Sequence, residues 1–333
     1  MNQKSAASLL SRFHWTKIVA ATLGVVFLLL VLLGIYWSPM PRLFWVNEYV
    51  DDQRSVVGFS TTDTLIRVAE TLLDKRGGYI TNDKFPPGIW LDNMPNWEKG
   101  VVTQMRDLSR AIRNDFSRSQ SQSKEDPDVV EAVEKFFSES NSWLFPPTER
   151  RYREGIEALY RYQDRLTGAA EPEAQFYARA DNLREWLAEV EKRLGSMSRR
   201  LGNSVATTVI NEELAGDPSA EAAQRQPDVI DVRTPWLEID DVFFEARGSA
   251  WALLHFFRAV EFDFAQVLAD KNAEASVRQI IRELETSLEP MRWPVVLNGG
   301  GYGLTANHSL VMANYLARAN AAVINLRELL DQG

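Results

Sequence analysis

Beyond residue 60 the apolar positions of this chain recur at helical spacing almost throughout, and the period-two alternation of a half-buried strand is nearly absent. Between Ser60 and Gly78, the residues Leu65, Val68, Ala69 and Leu72 fall on one face, with Ser60 and Asp63 as a capping pair and Gly77–Gly78 as the stop. The spacing returns as Val101, Met105, Leu108, Ile112 and Phe116, as Val129, Val133, Phe136 and Phe137, as Tyr152, Ile156 and Leu159, and as Val277, Ile280, Ile281, Leu284 and Leu288. These stripes predict an all-α bundle. The most regular is Phe176, Ala180, Leu183, Leu187, Val190, Leu194, Met197 and Leu201, a four-three alternation that packs knobs into holes against another helix. A second copy of the chain would serve, giving a homo-oligomer, but the other amphipathic helices favour an internal partner. Residues 251–268 are apolar on nearly every side, yet His255, Arg258, Glu261 and Asp263 interrupt them, which suits the central helix of a bundle better than a membrane span.

One stretch departs from this amphipathic pattern. Ile18 to Trp37 are 20 consecutive residues without a charge, long enough as a helix to cross a hydrocarbon core of about 30 Å. A cleaved signal peptide would have a shorter apolar region and a small-x-small site, whereas this one ends in Tyr36, Trp37, Ser38 and Pro39. Lys4, Arg12 and Lys17 precede the run with no acid among them, while Arg42 after it is soon followed by Glu48, Asp51 and Asp52. The expected topology is a cytoplasmic 1–17, a membrane-spanning 18–37 and an exported remainder in the periplasm. Phe13 and Trp15 on one side, and Tyr36, Trp37, Phe44 and Trp45 on the other, suit the two interfacial aromatic belts.

The net charge of −9 leaves −12 on residues 37–333, because the first 36 residues hold three basic side chains and no acid. An acidic body argues against nucleic acid or anionic lipid as its partner. Pro/Gly and polar composition at 215–235 marks a linker, dividing the exported part into a helical region 38–214, which contains the heptad helix, and a C-terminal helical region 236–333 packed on it.

Chemistry is sparse. The chain has no cysteine, so disulfides, thiolate nucleophiles and Cys-ligated zinc are excluded, and its three histidines, His14, His255 and His308, make no zinc-protease motif. The acids Glu238, Asp240, Asp241 and Glu245 lack the glycine turn of a calcium loop and read as charge at a helix N-terminus. Gly248–Ser249 lacks the second glycine of a nucleophile elbow and lies in a helical stretch. Residues 295–309, VVLNGGGYGLTANHS, follow the strand, glycine, helix order of a nucleotide site without its spacing or its lysine. They read as a connector in which Gly299, Gly300, Gly301 and Gly303 serve backbone geometry ahead of a helix capped by Thr305 or Asn307. No cofactor and no metal are expected. Candidate contacts for a protein partner are Trp90 and Trp97, in a stretch 77–100 with four glycines and three prolines, together with Tyr302 and His308. A non-enzymatic envelope scaffold is the preferred reading. The alternative is an envelope hydrolase using carboxylates in a helical cleft, for which Glu238, Glu245 and Glu261 are available.

The segments GGYITNDKFPPGIWLDNMPNWEKG, FFEARGSAWALLHFF and NGGGYGLTANHSLVMANYLARANAAVINLRELL resemble the signature blocks of a domain-of-unknown-function family of single-pass proteins in Gram-negative bacteria. The resemblance implies an inner-membrane protein with a periplasmic helical domain; it supplies no activity and no catalytic residues.

Overall fold

The computed structural model describes residues 3–46, 56–119, 124–205, 207–210, 229–291, 295–300 and 304–332. The fold is all-α. Its first helix, α1 (Gln3–Trp37), is the one described helix long and apolar enough to cross a membrane, over Trp15–Trp37, with a mean hydropathy of 3.0. Then come α2 (Phe59–Asp74), α3 (Asn93–Ala111) and α4 (Pro127–Phe136), followed by α5 (Thr148–Leu166) and α6 (Ala180–Gly202). After them lie α7 (Ile239–Asp263), α8 (Ala265–Asp270), α9 (Glu274–Ser287) and α10 (His308–Asp331). Between α6 and α7, the β-branched runs Thr207–Ile210 (β1) and Val229–Val232 (β2) pair antiparallel, Thr207 opposite Val232. The expected linker 215–235 therefore contains β2; its residues up to 228 lie outside the described set.

The central helix is α7, against which α2, α3, α6, α9 and α10 all pack; α4 pairs with α5, and α6 with α10. One hydrophobic core runs from Leu65 to Leu330, so residues on both sides of the expected linker share it. The heptad seam is internal: Leu183, Leu187, Val190, Leu194, Met197 and Leu201 are buried, and α10 is the principal neighbour of α6. Phe176, the first residue of the expected seam, precedes the helix. The Tyr177 N–H donates to the Phe116 carbonyl at 2.6 Å, Arg179 is extended, and the Phe176 ring packs on Phe116 and Phe264 instead. The expected helix 251–268 is likewise broken at Phe264, whose ring is buried in that same cluster, so its last residues belong to α8.

Two helix ends are closed from a distance. The N-terminus of α2 follows Gly58 (φ 91°) and is capped by a carboxylate on α7, not by Ser60 and Asp63 as the local spacing suggests. The Thr61 N–H donates to Asp263 Oδ2 at 2.6 Å. The C-terminus of α9 is held by the buried Arg247 guanidinium, which donates to the carbonyls of Ser287, Leu288 and Glu289 at 2.9–3.3 Å.

The helices α3 and α7 cross in backbone contact. A Cβ on Gly100 would lie 2.1 Å from the Glu245 carbonyl oxygen, and one on Gly248 would lie 2.0 Å from that of Trp97. Each glycine thus admits the other helix's backbone, and Ser249 Oγ donates to the Gly100 carbonyl at 3.2 Å. Because backbone cannot swing aside as a side-chain tip can, Gly248→Ala should destabilise the fold at the upper end of the about 1–3 kcal/mol typical of overpacking. Melting of the full-length protein in detergent checks this; an unchanged midpoint would show that the helices part without cost.

Candidate functional site

The residues that follow α1 are fastened to the helical body. His255, buried on α7, presents Nδ1 to the Trp251 carbonyl at 2.6 Å, a contact that requires the proton on Nδ1. Nε2 is left as an acceptor, and it takes the Phe44 N–H at 3.1 Å while the two rings stack at 3.9 Å. Arg258 donates to the Phe44 carbonyl at 3.4 Å and lies 5.3 Å over the Trp45 ring. Arg67 donates to the Trp45 carbonyl at 3.0 Å and covers the other ring, Phe44, at 4.2 Å. Burial pushes the His255 imidazole down to about 3, and the nearby Arg258 and Arg67 charges act in the same sense. The ring is therefore neutral, as its acceptor role demands.

A second fastening comes from the loop between α2 and α3. Glu98, fully buried on α3, receives the Ile80 and Thr81 N–H groups at 2.8 Å each, the Thr81 hydroxyl, and the Lys75 ammonium. Asn82 Nδ2 ties the same loop to the Ser142 carbonyl at 2.9 Å and to Glu149 at 2.8 Å, and Tyr79 donates to the Ser140 carbonyl at 2.8 Å. The loop lies along one face of α1. Trp37 fills the space above Gly77 (φ 84°), where a Cβ would sit 2.7 Å from its ring, and Gly34 faces Pro87 and Leu91. Phe27 meets Trp90 with ring centroids 6.0 Å apart.

The candidate tryptophans thus have different places. Trp90 is half exposed beside α1. Trp97 is fully enclosed, edge-on to Trp251 at 5.3 Å, because α3 already begins at Asn93, capped by Asp92, and residues 93–100 are its first turns. Its surface belongs to the core and none is left for a partner. Its signal was present in the sequence: Trp97 and Met94 extend the stripe Val101, Met105, Leu108 by two turns backwards.

The described residues on either side of the glycine run fold back on each other. Gly299 N–H donates to the Ala306 carbonyl at 3.0 Å, Asn307 Nδ2 to the Gly299 carbonyl at 2.8 Å, and His308 N–H to the Leu297 carbonyl at 2.8 Å. Of the two expected caps for α10 it is Asn307 that serves, its Oδ1 accepting the Leu310 N–H at 2.9 Å. Gly301, Tyr302 and Gly303 lie outside the described residues. His308 accepts the Leu297 N–H on Nδ1 at 3.2 Å, and its pKa is lowered by burial and by Arg247. Together with Phe243, Arg247, Met291, Met312 and Tyr315 it lines a cleft of about 290 Å³ between α7, the end of α9 and α10.

Two of the available carboxylates are held apart by α7 itself. Glu245 and Glu261 stand on α7 sixteen residues and so about 24 Å apart, and Glu245 is engaged by Lys99 at 3.0 Å and by Arg200 at 2.8 and 2.9 Å. Among the described residues no group of three or more His, Asp or Glu side chains is placed to hold a metal.

His255 has its folded-state pKa depressed from 6.5 to about 3, so its contribution to stability is present above pH 6.5 and lost as pH falls toward 3. Asp263 has its own raised by burial from 3.8 to about 6, so its contribution is present below pH 3.8 and lost as pH rises through 6. Over pH 4–6 the two oppose each other, each by up to about 1.4 kcal/mol per pH unit. His255→Gln should flatten the loss of stability on acidification, and Asp263→Asn should steepen it; denaturant titrations at stepped pH read both slopes. For the glycine loop, a Cβ on Gly299 would lie 2.1 Å from the Thr305 carbonyl oxygen, whereas one on Gly300 meets nothing within 4 Å. Gly299→Val should therefore cost more than about 1 kcal/mol and Gly300→Val much less, an ordering that thermal melts will show directly.

No curated protein and no solved structure matches the chain. A family model does, over residues 10–333, which takes in most of α1, the α2–α3 loop, the α3–α7 crossing and the glycine loop alike. The chain belongs to the bacterial family described as "uncharacterized protein conserved in bacteria (DUF2333)".

Proposed function

We propose that this chain is a single-span protein of the bacterial inner membrane whose acidic helical body lies in the periplasm and serves, without catalysis, as a rigid docking module for another envelope protein. The observation that carries the reading is the fastening of the residues after α1. A tethered enzyme has no need of a fixed attitude toward the bilayer, but a scaffold must present its surfaces in one direction. The grip of His255, Arg258 and Arg67 on Phe44 and Trp45 supplies that constraint. The three basic residues before the apolar run, with no acid among them, support a cytoplasmic N-terminus. The partner's surface on this side is the cleft beside the glycine loop. It offers the half-buried Met291, the polar edge of His308, and the exposed Val311 at its rim, over a floor of buried Phe243 and Met312.

A test joins topology to contact. Alkaline phosphatase fused after residue 333 should be active, and a photo-crosslinking residue at Val311 should give a discrete protein adduct in cells that one at the exposed Ala275 does not. A silent phosphatase fusion, or the same adducts from both positions, overturns the proposal.

A further inference from the structure

The tip of the α2–α3 loop carries an apolar surface that the helical core does not use. Phe85, Ile89 and Trp90 are 65%, 58% and 50% exposed, and Phe85 meets Trp143 edge-on at 5.7 Å. Trp143 continues into Leu144 and Phe145, the latter 91% exposed, on the α4–α5 connection. Six large side chains from two loops thus form one rim, more than a water-facing surface normally gathers in one place.

The position of the rim identifies what covers it. Phe27, the residue that Trp90 touches, lies ten residues before Trp37, about 15 Å back along α1 and near the middle of its apolar stretch Trp15–Trp37. Gly34, which faces Pro87 and Leu91, lies between the two levels. The loop therefore descends beside α1 from Gly77 at the level of Trp37 to Trp90 at the level of Phe27. Whatever solvent surrounds that half of α1 also surrounds the tip.

Part of the tip's backbone polarity is met within the turn as well. Pro86 and Pro87 have no N–H, and the N–H groups of Ile89, Trp90 and Leu91 are bonded within the turn to the carbonyls of Phe85, Pro87 and Gly88 at 2.9–3.2 Å. Gly88 allows the turn to close, since a Cβ there would lie 2.1 Å from the Asp83 carboxylate. At the level of Trp37 the Arg76 guanidinium lies 5.0 Å over the Tyr36 ring, a cation and a phenol at the depth where lipid headgroups begin.

We infer that the Phe85–Trp90 tip and the Trp143–Phe145 loop are embedded in the bilayer beside α1, as a second, monotopic attachment of the helical body to the membrane. The inference rests on α1 being a membrane span. The covering material is lipid because the rim is continuous with the surface of that span.

The absence of native cysteine makes the test direct. Full-length variants Ile89→Cys, Phe145→Cys, Leu23→Cys and Ala275→Cys are labelled with an environment-sensitive fluorophore and reconstituted into phosphatidylethanolamine–phosphatidylglycerol vesicles. Leu23 reports the span. Ala275 reports the far end of the body, which also holds Asp263 and is separated from Lys75 by the length of α2, about 24 Å. The expected result is blue-shifted emission at 89, 145 and 23, quenched by doxyl-labelled lipid and insensitive to iodide, with the reverse at 275. Quenching by doxyl lipid at 23 but by iodide at 89 and 145 overturns the inference and leaves the span intact. Iodide quenching at 23 overturns the span reading, and the inference with it. Labels at 89 and 145 shielded from both quenchers would show a second copy of the chain on the rim, and would also overturn it.

Discussion

The backbone contact of α3 with α7 at Gly100 and Gly248 fixes where the rest of the molecule can be. With the two helices this close, Trp97 and Trp251 meet edge to edge, and the residues beside them acquire their tasks from that geometry. One position after Trp97 on α3, Glu98 is placed inside the body, where it gathers the loop that lies along α1. One turn after Trp251 on α7, His255 is placed to take the Phe44 N–H. Both attachments of the body to α1 therefore depend on the same crossing. Any side chain that forced the helices apart would move Glu98 and His255 together, away from groups that each must meet within hydrogen-bond distance.

Three of the buried charges in this protein close backbone ends. Asp263 reaches across to the first turn of α2, Arg247 to the last carbonyls of α9, and Glu98 to the N–H groups of Ile80 and Thr81. An ion pair such as Lys75–Glu98 adds little over apolar packing by itself, because desolvation offsets its attraction. Its effect lies in what removal of one partner leaves behind, a buried charge and orphaned N–H groups, which costs several times a surface pair. These residues make the ends of elements specific to one arrangement of the bundle.

This division explains what could be read from the sequence. Periodicity reports which face of a helix is apolar, so α1, the seam of α6 and the central role of α7 were legible. Boundaries set by distant groups were not. The residue that caps α2 lies 202 positions away, and no local pattern announces it. Likewise Trp90 and Trp97 stand in the same Gly- and Pro-rich stretch, and only the start of α3 at Asn93 separates a surface tryptophan from a core one. Gly248 looks like a flaw in a helix until the carbonyl of Trp97 is seen against it. Such close approaches are properties of two segments together, whereas Gly299 against Thr305 was within reach because both lie in one short loop.

The energy in the fastening of Phe44 and Trp45 is small in absolute terms but large against the freedom it removes. As a free chain, residues 38–58 between α1 and α2 would have a root-mean-square span of roughly 25 Å, enough for the body to tumble about the end of α1. Against this stand the hydrogen bonds to Phe44 and Trp45, each worth about 0.5–1.5 kcal/mol, and the stacking of Phe44 on His255 at 3.9 Å, worth a similar amount. A net advantage of only about 3 kcal/mol already holds more than 99% of molecules in the fastened state. The contact of the α2–α3 loop with α1 then comes at little further entropic cost, since the first fastening has placed its partner alongside. Two weak attachments that share one rigid body make one firm orientation, which is the physical reason the crossing of α3 and α7 must admit no side chain.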